Sequence, residues 1–474
     1  MKRYFLEEII EATGAQCFGN KKKVFFSKVS IDSRKCAADE VFFAITGDKF
    51  DGHNFIRVAL ENGAGGAVFS DRNKVEGIIE KNPDVSLLEV KDTLSALQSL
   101  ARYYRRKVNP LVIGITGSNG KSTTKEILSS VLGMNGEVLK NPGNFNNLVG
   151  LPLSILPVEE GCRYAVLEMG MSAAGEIKKL CDIAEPVVGI ITNVGLSHSE
   201  NFSGIEGIGM AKAEMASFIH ENGGTLLYNG DDPVLEKIPQ ITAGKTVTFG
   251  TGKDCDVRMY DLETYENGSA FKFASGDINE EIHVGMPGIH NAYNCLAAIA
   301  CALHLGMSSD EIKKGVSEAR SLPGRTTLFE LAGGICLVDD TYNANPLSFG
   351  RAIEYFATLK KSGRKVIVMG DMFELGKFSD ESHRQIGRLS AEKGITILIT
   401  VGTLSLAAAE EAVKSGMNKE MVFSFSGAEE AGRALVDMLS SGDSVLVKGS
   451  RGVHLETVVA MLKEKFGGAN GDKE

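Results

Sequence analysis

Short apolar runs alternate with longer amphipathic stretches along most of this chain. Short apolar runs bounded by turn residues are typical of buried β-strands, and the stretches between them are long enough for crossover helices. Strands that alternate with helices in this way usually form parallel sheets covered by helices on both faces. The pattern therefore predicts an α/β protein, and breaks in the pattern divide it into three blocks.

The first block covers residues 1–108. Its opening segment, MKRYFLEEIIEATGA, has charges on both sides of its apolar residues and predicts an amphipathic helix. β-Rich runs follow at 24–31, 41–45 and 66–69, and a last helix is predicted over 92–107. Asn109 and Pro110 end this block, because proline disfavours helix at the residue before it.

The second block, residues 109–322, contains the apolar runs LVIGIT, YAVLEMG, VVGIITNV and TLLYNG, separated by helical patterns. These runs predict a mostly parallel sheet. Residues 245–286 differ, because four alternating runs follow one another with only turn residues between them. We interpret these four runs as antiparallel hairpins that form a sheet flanking the core.

The third block, residues 323–474, returns to the strand-and-helix rhythm with ICLVDD, KVIVMGD, ITILITVG, MVFSF and DSVLVKGS. It is typical of a Rossmann-like domain, but no G-x-G-x-x-G follows a strand, so a dinucleotide is not predicted. Ligands of open α/β sheets lie beyond the carboxyl ends of the strands. That rule directs attention to the polar residues that follow each apolar run.

Composition narrows the class of protein. With 474 residues and 43% hydrophobic content the chain can form several domains with real cores. Its formal charge of −10 argues against nucleic acid as the main partner. The eight cysteines include no C-x-x-C pair, which favours free thiols in a reducing cytoplasm over a zinc site or disulfides. No segment reaches the length of a membrane span, and the start lacks the apolar core of a signal peptide.

A glycine-rich turn follows the first apolar run of the second block. The sequence NPLVIGITGSNGKSTTK places Gly117 and Gly120 before Lys121 and Ser122, where a helix is expected to begin. Backbone amides of such a turn and the positive end of the helix attract phosphates, lysine reaches the β- and γ-phosphates, and the hydroxyl can ligate Mg²⁺. The strict P-loop spacing would require glycine at Ile115, so this loop is a variant. A glycine turn without a ligand is the alternative.

Other polar residues of the second block also follow apolar runs. Glu168 ends YAVLEMG and is suited to Mg²⁺, although a helix cap is the alternative. His198 follows VVGIITNV and could be structural or a ligand. For Lys212, the helical pattern alone favours a solvated side chain. Asparagines at 144, 146 and 147 could bind a polar substrate or simply build turns.

In the third block, ICLVDD runs into DDTYNANP, which holds Asp339, Asp340, Tyr342, Asn343 and Asn345 before Pro346. Such groups could hold a ribose and adenine. The run LVKGSRG adds Lys448 and Arg451 at another strand end, and Arg325 lies near the junction of the second and third blocks. An arginine fork is suited to carboxylate or phosphate.

These segments together resemble the Mur ligases, the ATP-dependent amide ligases of peptidoglycan assembly. The resemblance covers essentially the whole chain and is carried by TGSNGKST, NPGNFNNLVGLPLSI, VLEMGM, TNVGLSHSENF, AKAEM, GIHNAYNCLAA, LPGR, VDDTYNANP, MGDMFELG and LVKGSRG. It implies the family's three-domain architecture. Residues 1–108 would bind the UDP-sugar substrate, 109–322 would form the central P-loop domain that binds ATP, and 323–474 would be a Rossmann-like domain contributing to nucleotide and D-Ala-D-Ala binding.

The resemblance also implies roles for individual residues. Ser122 and Glu168 would hold one Mg²⁺, His198 would help to hold a second, and Lys212 would be carbamylated and bridge towards it. The nucleotide would be bound by Gly117, Ser118, Asn119, Gly120, Lys121, Ser122, Thr123, Asn291, Arg325, Asp340 and Tyr342. The substrates would be bound by Ser33, Arg34, Asn144, Asn146, Asn147, Asn343, Lys448 and Arg451.

Within the family, DDTYNANP and MGDMFELG are similar to the member that adds D-Ala-D-Ala to UDP-N-acetylmuramoyl-tripeptide. The implied reaction passes through an acyl phosphate and releases ADP and phosphate. A cytoplasmic monomer without nucleic-acid or membrane partners is expected. A P-loop switch or motor that hydrolyses nucleotide to drive conformational change is the competing class, and the loop by itself does not exclude it.

Overall fold

A computed structural model describes residues 2–47, 49–82 and 84–467. The chain folds into two compact units. The first comprises the residues up to 114 together with 136–170 and 176–188, and the second comprises 115–135, 171–175 and the residues from 189 onwards. Within the described ranges, no helix has both the length and the apolar character that crossing a membrane requires.

The described part of the first block forms two small sheets and four α-helices. Its strands are β1 (Tyr4–Phe5), β2 (Gln16–Gly19), β3 (Phe25–Phe26), β4 (Lys28–Ser30), β5 (Glu40–Phe43), β6 (Gly66–Phe69) and β7 (Ser86–Glu89), and its helices are α1 (Leu6–Thr13), α2 (Ile56–Glu61), α3 (Ile78–Lys81) and α4 (Thr93–Val108). β1 pairs with β3, and the larger sheet has the order β2-β7-β6-β5-β4. Phe42, Phe69 and Leu87 of this sheet pack with Ile56 and Ala59 of α2 in one apolar core.

The middle of the chain contributes a nine-stranded sheet. Its strands are β8 (Leu111–Thr116), β9 (Val138–Lys140), β10 (Tyr164–Glu168), β11 (Val188–Ile191), β12 (Thr225–Asn229), β13 (Lys245–Gly250), β14 (Val257–Tyr265), β15 (Gly268–Ser275) and β16 (Ile278–Val284). The helices are α5 (Lys121–Leu132), α6 (Gly150–Ile155), α7 (Glu176–Ala184), α8 (Ile205–Glu221), α9 (Ile238–Ile241), α10 (Ile289–His304) and α11 (Ser309–Glu318). The strand order is β16-β15-β14-β13-β12-β11-β8-β10-β9.

The expectation of antiparallel hairpins over 245–286 is wrong in part. β14, β15 and β16 are antiparallel, but β13 runs parallel to both β12 and β14, and all four strands continue the large sheet instead of flanking it. The alternation of apolar residues along a strand is the same in parallel and antiparallel pairs. The segment that connects two strands therefore decides their relative direction. Here Asp231 accepts hydrogen bonds from the amides of Thr251 and Gly252 and fixes the turn between β13 and β14.

The third block forms a six-stranded sheet. Its strands are β17 (Thr327–Leu331), β18 (Ile335–Asp340), β19 (Lys365–Gly370), β20 (Ile397–Val401), β21 (Val422–Phe425) and β22 (Ser444–Lys448), and its helices are α12 (Pro346–Thr358), α13 (Ser379–Glu392), α14 (Leu406–Lys414), α15 (Ala428–Met438) and α16 (Glu456–Phe466). The order is β17-β18-β22-β19-β20-β21, and only β17 is antiparallel to its neighbour.

Both faces of this sheet are buried, which explains its continuous apolar runs. In β19, Ile367 and Met369 point into one core, whereas Val366 and Val368 point into the other. A strand with two covered faces needs apolar residues at successive positions instead of alternate ones. The predicted α/β fold class is therefore confirmed, and the sequence missed the short strands β2, β7 and β9 together with β17.

Candidate active site

The glycine-rich turn joins β8 to α5 as predicted. Gly120 has φ of 82°, and α5 begins at the next residue, Lys121. A Cβ atom on Gly120 would lie 2.1 Å from Asn294 Oδ1, and one on Gly117, with φ of 149°, would lie 1.9 Å from Thr192 Oγ1. Both positions therefore require glycine for space as well as for conformation. The first-turn amides of α5 have no acceptor within the helix and face the turn.

Residues that follow β11 hold this turn in place. Ser118 and Asn119 donate their amides to the carbonyl and side-chain oxygens of Asn193, both at about 3 Å. Thr192 Oγ1 donates to the Asn119 carbonyl at 2.6 Å. Lys121 Nζ donates to the Gly117 carbonyl at 2.8 Å, so the lysine folds back over the loop it follows. These contacts hold the turn in one conformation, and we call residues 117–122 the cradle.

Arg325 of the third block reaches this cradle. Its Nη2 donates to Ser122 Oγ at 3.0 Å, and its guanidinium lies 4.1 Å from the ring centre of Tyr342. Arg325 Nε is buried and has no hydrogen-bond partner within the described residues. A buried donor without an acceptor is costly. An anion beside this guanidinium would provide that acceptor.

Asp340 is held at the carboxyl end of β18 by two neighbours. Its Oδ1 accepts the amide of Thr326 at 3.1 Å, and its Oδ2 accepts Lys448 Nζ at 2.6 Å. Lys448 is buried and also donates to the Asn343 carbonyl at 2.9 Å. The structure thus brings Arg325, Asp340 and Lys448 together, and Lys448 orients the carboxylate of Asp340 instead of facing solvent.

Lys121, Lys212 and His198 lie near enough to one another for their charges to interact. Lys212 is only 2% exposed on α8, and Nζ has no hydrogen bond or ion pair among residues 2–47, 49–82 and 84–467. The prediction of a solvated Lys212 side chain, which the helical pattern favoured, is therefore wrong. Burial and then the Lys121 cation lower the pKa of Lys212 well below its usual range. Burial also lowers the pKa of His198, with further lowering by Lys121 and Lys212 and opposition from Glu374.

Glu168 belongs to the first unit, at the end of β10. Asn146 Nδ2 donates to Glu168 Oε1 at 2.7 Å, and Asn141 bonds both the amide and the carbonyl of Glu168. Asn147 instead caps α6 by accepting the amide of Gly150 at 2.8 Å. Asn144 is exposed. Of the three asparagines predicted to contact substrate, one orients a carboxylate and one builds a helix end.

The remaining predicted residues have local partners. The exposed side chain of Arg34 pairs with Asp32 two residues earlier. Ser33 is buried, and its carbonyl accepts Asn62 Nδ2 at 2.9 Å. Arg451 is exposed and lies 3.6 Å from Glu456. Asn291 is buried on α10 and donates to the Pro287 carbonyl at 2.8 Å. A substrate or nucleotide contact for each of these residues stays a prediction.

Two further asparagines touch the cradle: Asn345, which the sequence grouped with Asp340 and Tyr342, and Asn294, which sequence reasoning missed. Asn345 caps α12 through the amide of Ser348 and donates from Nδ2 to Asn119 Oδ1 at 2.8 Å. Asn294 lies one helical turn after Asn291 and packs against Gly120. The capping signal for Asn345 was present in NPLS, because asparagine before proline is a frequent helix start. Its second partner, Asn119, is far away in the sequence and left no such signal.

Comparison with known proteins defines the class. Three family models match successive parts of the chain: "Mur ligase family, catalytic domain" over 26–105, "Mur ligase middle domain" over 115–302, and "Mur ligase, glutamate ligase domain" over 324–451. The chain belongs to the Mur ligase family.

Individual relatives are more specific. The chain is 37% identical over 436 residues to UDP-N-acetylmuramoyl-tripeptide–D-alanyl-D-alanine ligase of Bacillus subtilis, covering 92% of this chain and 93% of that protein. The ligase of the same name from Escherichia coli is 31% identical, with 92% and 93% covered. Among solved structures, MurF of Acinetobacter baumannii has a TM-score of 0.87 at 30% identity and covers 98% of this chain and 100% of that one. MurF of Thermotoga maritima in complex with ADP has a TM-score of 0.79 at 30% identity, with 92% and 97% covered.

Proposed function

We propose that this chain is an ATP-dependent amide ligase that adds D-Ala-D-Ala to UDP-N-acetylmuramoyl-tripeptide. The structural observation that carries the proposal is the contact between Arg325 and Ser122, which brings a cation of the third block to the phosphate cradle. The relatives in Bacillus subtilis and Escherichia coli, which match almost end to end, bear the name of this activity. A diaminopimelate-adding relative, at 18% identity and a TM-score of 0.54, shares the fold alone.

Three domains divide the work in this proposal. Residues 1–108 bind the UDP-sugar part of the acceptor, with Ser33 and Arg34 in contact with it. Residues 109–322 bind ATP through the cradle. Residues 323–474 complete the nucleotide site with Asp340 and Tyr342 and contribute to D-Ala-D-Ala binding. The monomeric state expected from the sequence remains a prediction.

The chemistry follows from the poor reactivity of a carboxylate towards amines. The γ-phosphoryl group passes from ADP oxygen to a carboxylate oxygen of the acceptor, which gives an acyl phosphate and ADP. The amine of D-Ala-D-Ala then attacks the acyl carbon, the bond from that carbon to the phosphate oxygen breaks, and the amine loses a proton. Lys121 and Arg325 stabilise the charge that two anions bring together, which is the main demand of phosphoryl transfer.

The family implies Mg²⁺ as the metal. The residues present fit this ion if Lys212 carries a carbamate. Ser122 and Glu168 would hold one Mg²⁺, His198 and Lys212 would hold a second, and bound Mg²⁺ would neutralise phosphate charge. Two lysines beside a histidine are by themselves a poor cation site. Lys212 is buried without a partner among the described residues, and its lowered pKa favours the neutral amine. That amine can add CO₂ and lose a proton to become a carbamate, which offers anionic oxygen ligands.

A pair of matched assays tests the substrate. Phosphate release is measured with UDP-muramoyl-tripeptide plus D-Ala-D-Ala, and separately with UDP-muramoyl-dipeptide plus lysine or diaminopimelate. A site built to hydrogen-bond one substrate can reject an analogue by about 10⁴-fold. We expect the first pair to be used and the second refused. Preference for the second pair would move the chain to the diaminoacid-adding activity.

The competing class, a nucleotide-driven switch or motor, predicts a different result. A switch hydrolyses ATP without an acceptor or an amine, whereas a ligase releases ADP and phosphate in step with each new amide. Turnover of ATP alone at the full rate would therefore exclude the ligase. Lys121→Ala, which removes the charge at the cradle, should abolish release in either case and serves as the blank.

A further inference from the structure

Asp232 is a buried carboxylate for which the proposed chemistry has no use. It lies three residues after the end of β12, and only 8% of its surface is exposed. Its Oδ2 accepts the amide of Val194 at 2.7 Å, and its Oδ1 accepts the amide of Val234 at 2.9 Å. Hydrogen bonds to an ionised carboxylate are stronger than those between neutral groups. Each carboxylate oxygen therefore holds a piece of backbone in place.

The bond to Val194 reaches the residues that support the cradle. Asn193, immediately before Val194, accepts the amide of Ser118 through its carbonyl at 2.9 Å. Gly195, immediately after it, donates its amide to Ser118 Oγ at 2.9 Å and accepts the same hydroxyl through its carbonyl at 2.8 Å. Val194 thus lies between the two residues that hold Ser118, and its own amide is held by Asp232.

The bond to Val234 reaches the helix that carries Lys212. A Cβ atom on Gly209 of α8 would lie only 2.5 Å from Val234 Cγ1, so glycine lets this side chain approach the helix backbone. Lys212 follows three residues later on the same helix and is buried. The turn that Asp232 holds therefore packs against α8 one helical turn before Lys212.

A turn alone does not account for both bonds. Aspartate often builds a turn by accepting the amide two residues later, as Asp232 does with Val234. The bond to Val194 spans 38 residues of the chain and adds nothing to that turn. Burial of a carboxylate is costly unless hydrogen bonds satisfy it, and a local turn can form with the side chain in water. The second bond therefore points to positioning.

We propose that Asp232 is a positioning residue that fixes the cradle relative to Lys212. Through Val194 it holds the residues that support Ser118, and through Val234 it holds the turn that packs against α8. The consequence for nucleotide binding rests on the proposed function, because that function places the phosphates in the cradle. The consequence for the backbone does not depend on it.

Hydrogen–deuterium exchange of the full chain without nucleotide tests the backbone directly. The amides of Ser118, Val194 and Gly195 are hydrogen-bonded and should exchange slowly in the unmodified chain. Asp232→Ala removes both acceptors. Peptides that contain 117–120 and 192–195 should then exchange about tenfold faster, since a hydrogen bond to a charged group is worth at least that factor. Asp232→Asn keeps one acceptor oxygen and should lie between the two.

Asp443 provides a matched control. It is a buried carboxylate of the third domain, and it also accepts two backbone amides, from Arg364 at 2.8 Å and from Ser440 at 2.9 Å. Asp443→Ala should lower the melting temperature at least as much as Asp232→Ala does, but should leave exchange in the cradle peptides unchanged. Thermal unfolding of both variants checks that the comparison is fair.

Binding of ADP, measured by calorimetry, supplies a second readout. The Kd for ADP should rise about tenfold in Asp232→Ala, because the cradle loses a support that involves a charged group. It should recover in part in Asp232→Asn and stay unchanged in Asp443→Ala. Lys121→Ala, which removes a charge from the cradle itself, serves as the blank.

Three results would overturn the inference. They are rapid exchange of the Val194 amide in the unmodified chain, cradle peptides that exchange at the original rate in both Asp232 variants, and an unchanged Kd for ADP in both. If Asp232→Ala does not fold, Asp232→Asn and the unmodified chain still decide. An unmodified chain that does not bind ADP would refute the proposed function instead, while the exchange experiment still decides the role of Asp232 in the backbone.

Discussion

Lys212 shows how much a single residue depends on its surroundings. On α8 its immediate neighbours are Ala211 and Ala213, and the structure buries it beside Lys121. A free lysine is almost entirely protonated at neutral pH, and a protonated amine does not add CO₂. Burial lowers the pKa of Lys212 because the charged form loses its hydration, and this favours the neutral amine that the proposed carbamate requires. The chemical use of Lys212 is therefore set by the tertiary structure and not by its residue type.

Replacing Lys212 by alanine should nearly abolish ligation, because the oxygens of the proposed carbamate would be lost. Short-chain carboxylates such as acetate or formate should restore part of the rate by occupying the same place. Phosphate release with and without added carboxylate is the measurement. Lys121→Ala is the control and should gain nothing from acetate. Equal activity of Lys212→Ala and the unmodified chain would rule out a carbamate at this position.

Helix α12 of the third domain contacts the cradle through its capping residue, Asn345. Asn345 Oδ1 caps the helix through the amide of Ser348 at 2.9 Å, and Nδ2 of the same side chain binds Asn119. Asn345→Asp should keep the cap, since aspartate caps as well as asparagine. It loses the donor to Asn119 and adds a negative charge near the phosphates, so KM for ATP should rise.

Asn345→Ala provides the comparison, because it removes both contacts. It should lower the free energy of unfolding by about 1 kcal/mol, whereas Asn345→Asp should leave it nearly unchanged. Urea unfolding and steady-state kinetics separate the two effects. An unchanged KM in Asn345→Asp would show that the contact with Asn119 does not serve nucleotide binding.

Helix α10 carries a titratable group into the interior. His290 is partly buried with its Nδ1 atom fully covered, and burial lowers its pKa to about 4 from an ordinary 6.5. Between these values the unfolded chain binds a proton that the folded chain refuses, so stability falls as pH falls through this window. At pH 5 the loss relative to pH 7 should be about 2 kcal/mol from this residue.

The difference between the unmodified chain and His290→Gln measures that loss, with unfolding in urea at both pH values. His290→Gln should lose less stability than the unmodified chain on going from pH 7 to pH 5. His283 is exposed, and His283→Gln should behave like the unmodified chain. Identical pH dependence in all three proteins would contradict the buried neutral state of His290.

At the scale of the whole molecule, two kinds of contact join the central and third domains: one at the cradle and one between exposed charged side chains. Arg325 binds Ser122 in the cradle, whereas Lys361 bridges the exposed carboxylates of Glu266 and Glu330, each at 2.7 Å. These carboxylates and Cys336 form a group with metal-ligand spacing, but Lys361 already neutralises the acids. The two kinds of contact should respond differently to substitution.

Arg325→Lys should lower kcat/KM for ATP by about tenfold to a hundredfold, because a hydrogen bond to a charged group is worth about 1.5–3 kcal/mol and lysine cannot both reach Ser122 and stack on Tyr342. Lys361→Met should change stability by less than about 1 kcal/mol and leave kcat/KM nearly unaltered. Kinetics and thermal unfolding of both variants provide the test. A larger loss from Lys361→Met would make docking, not phosphate contact, the decisive interaction.

The sequence by itself determined the α/β class, the place of the phosphate cradle and most strands, because these depend on local period and on glycine, lysine and hydroxyl at fixed offsets. β6 was predicted to the residue, and α4 within one residue at each end. Short strands such as β9 carry too few residues for a period to show.

Only the tertiary structure decided the direction of β13, the burial of Lys212, and the partners of Ser122, Asn119 and His198. One partner of each comes from the third domain, far along the chain: Arg325 for Ser122, Asn345 for Asn119 and Glu374 for His198. Local sequence specifies backbone conformation through short-range sterics and hydrogen bonds. It does not specify which distant side chain will share a desolvated space, and that proximity lowers the pKa of Lys212.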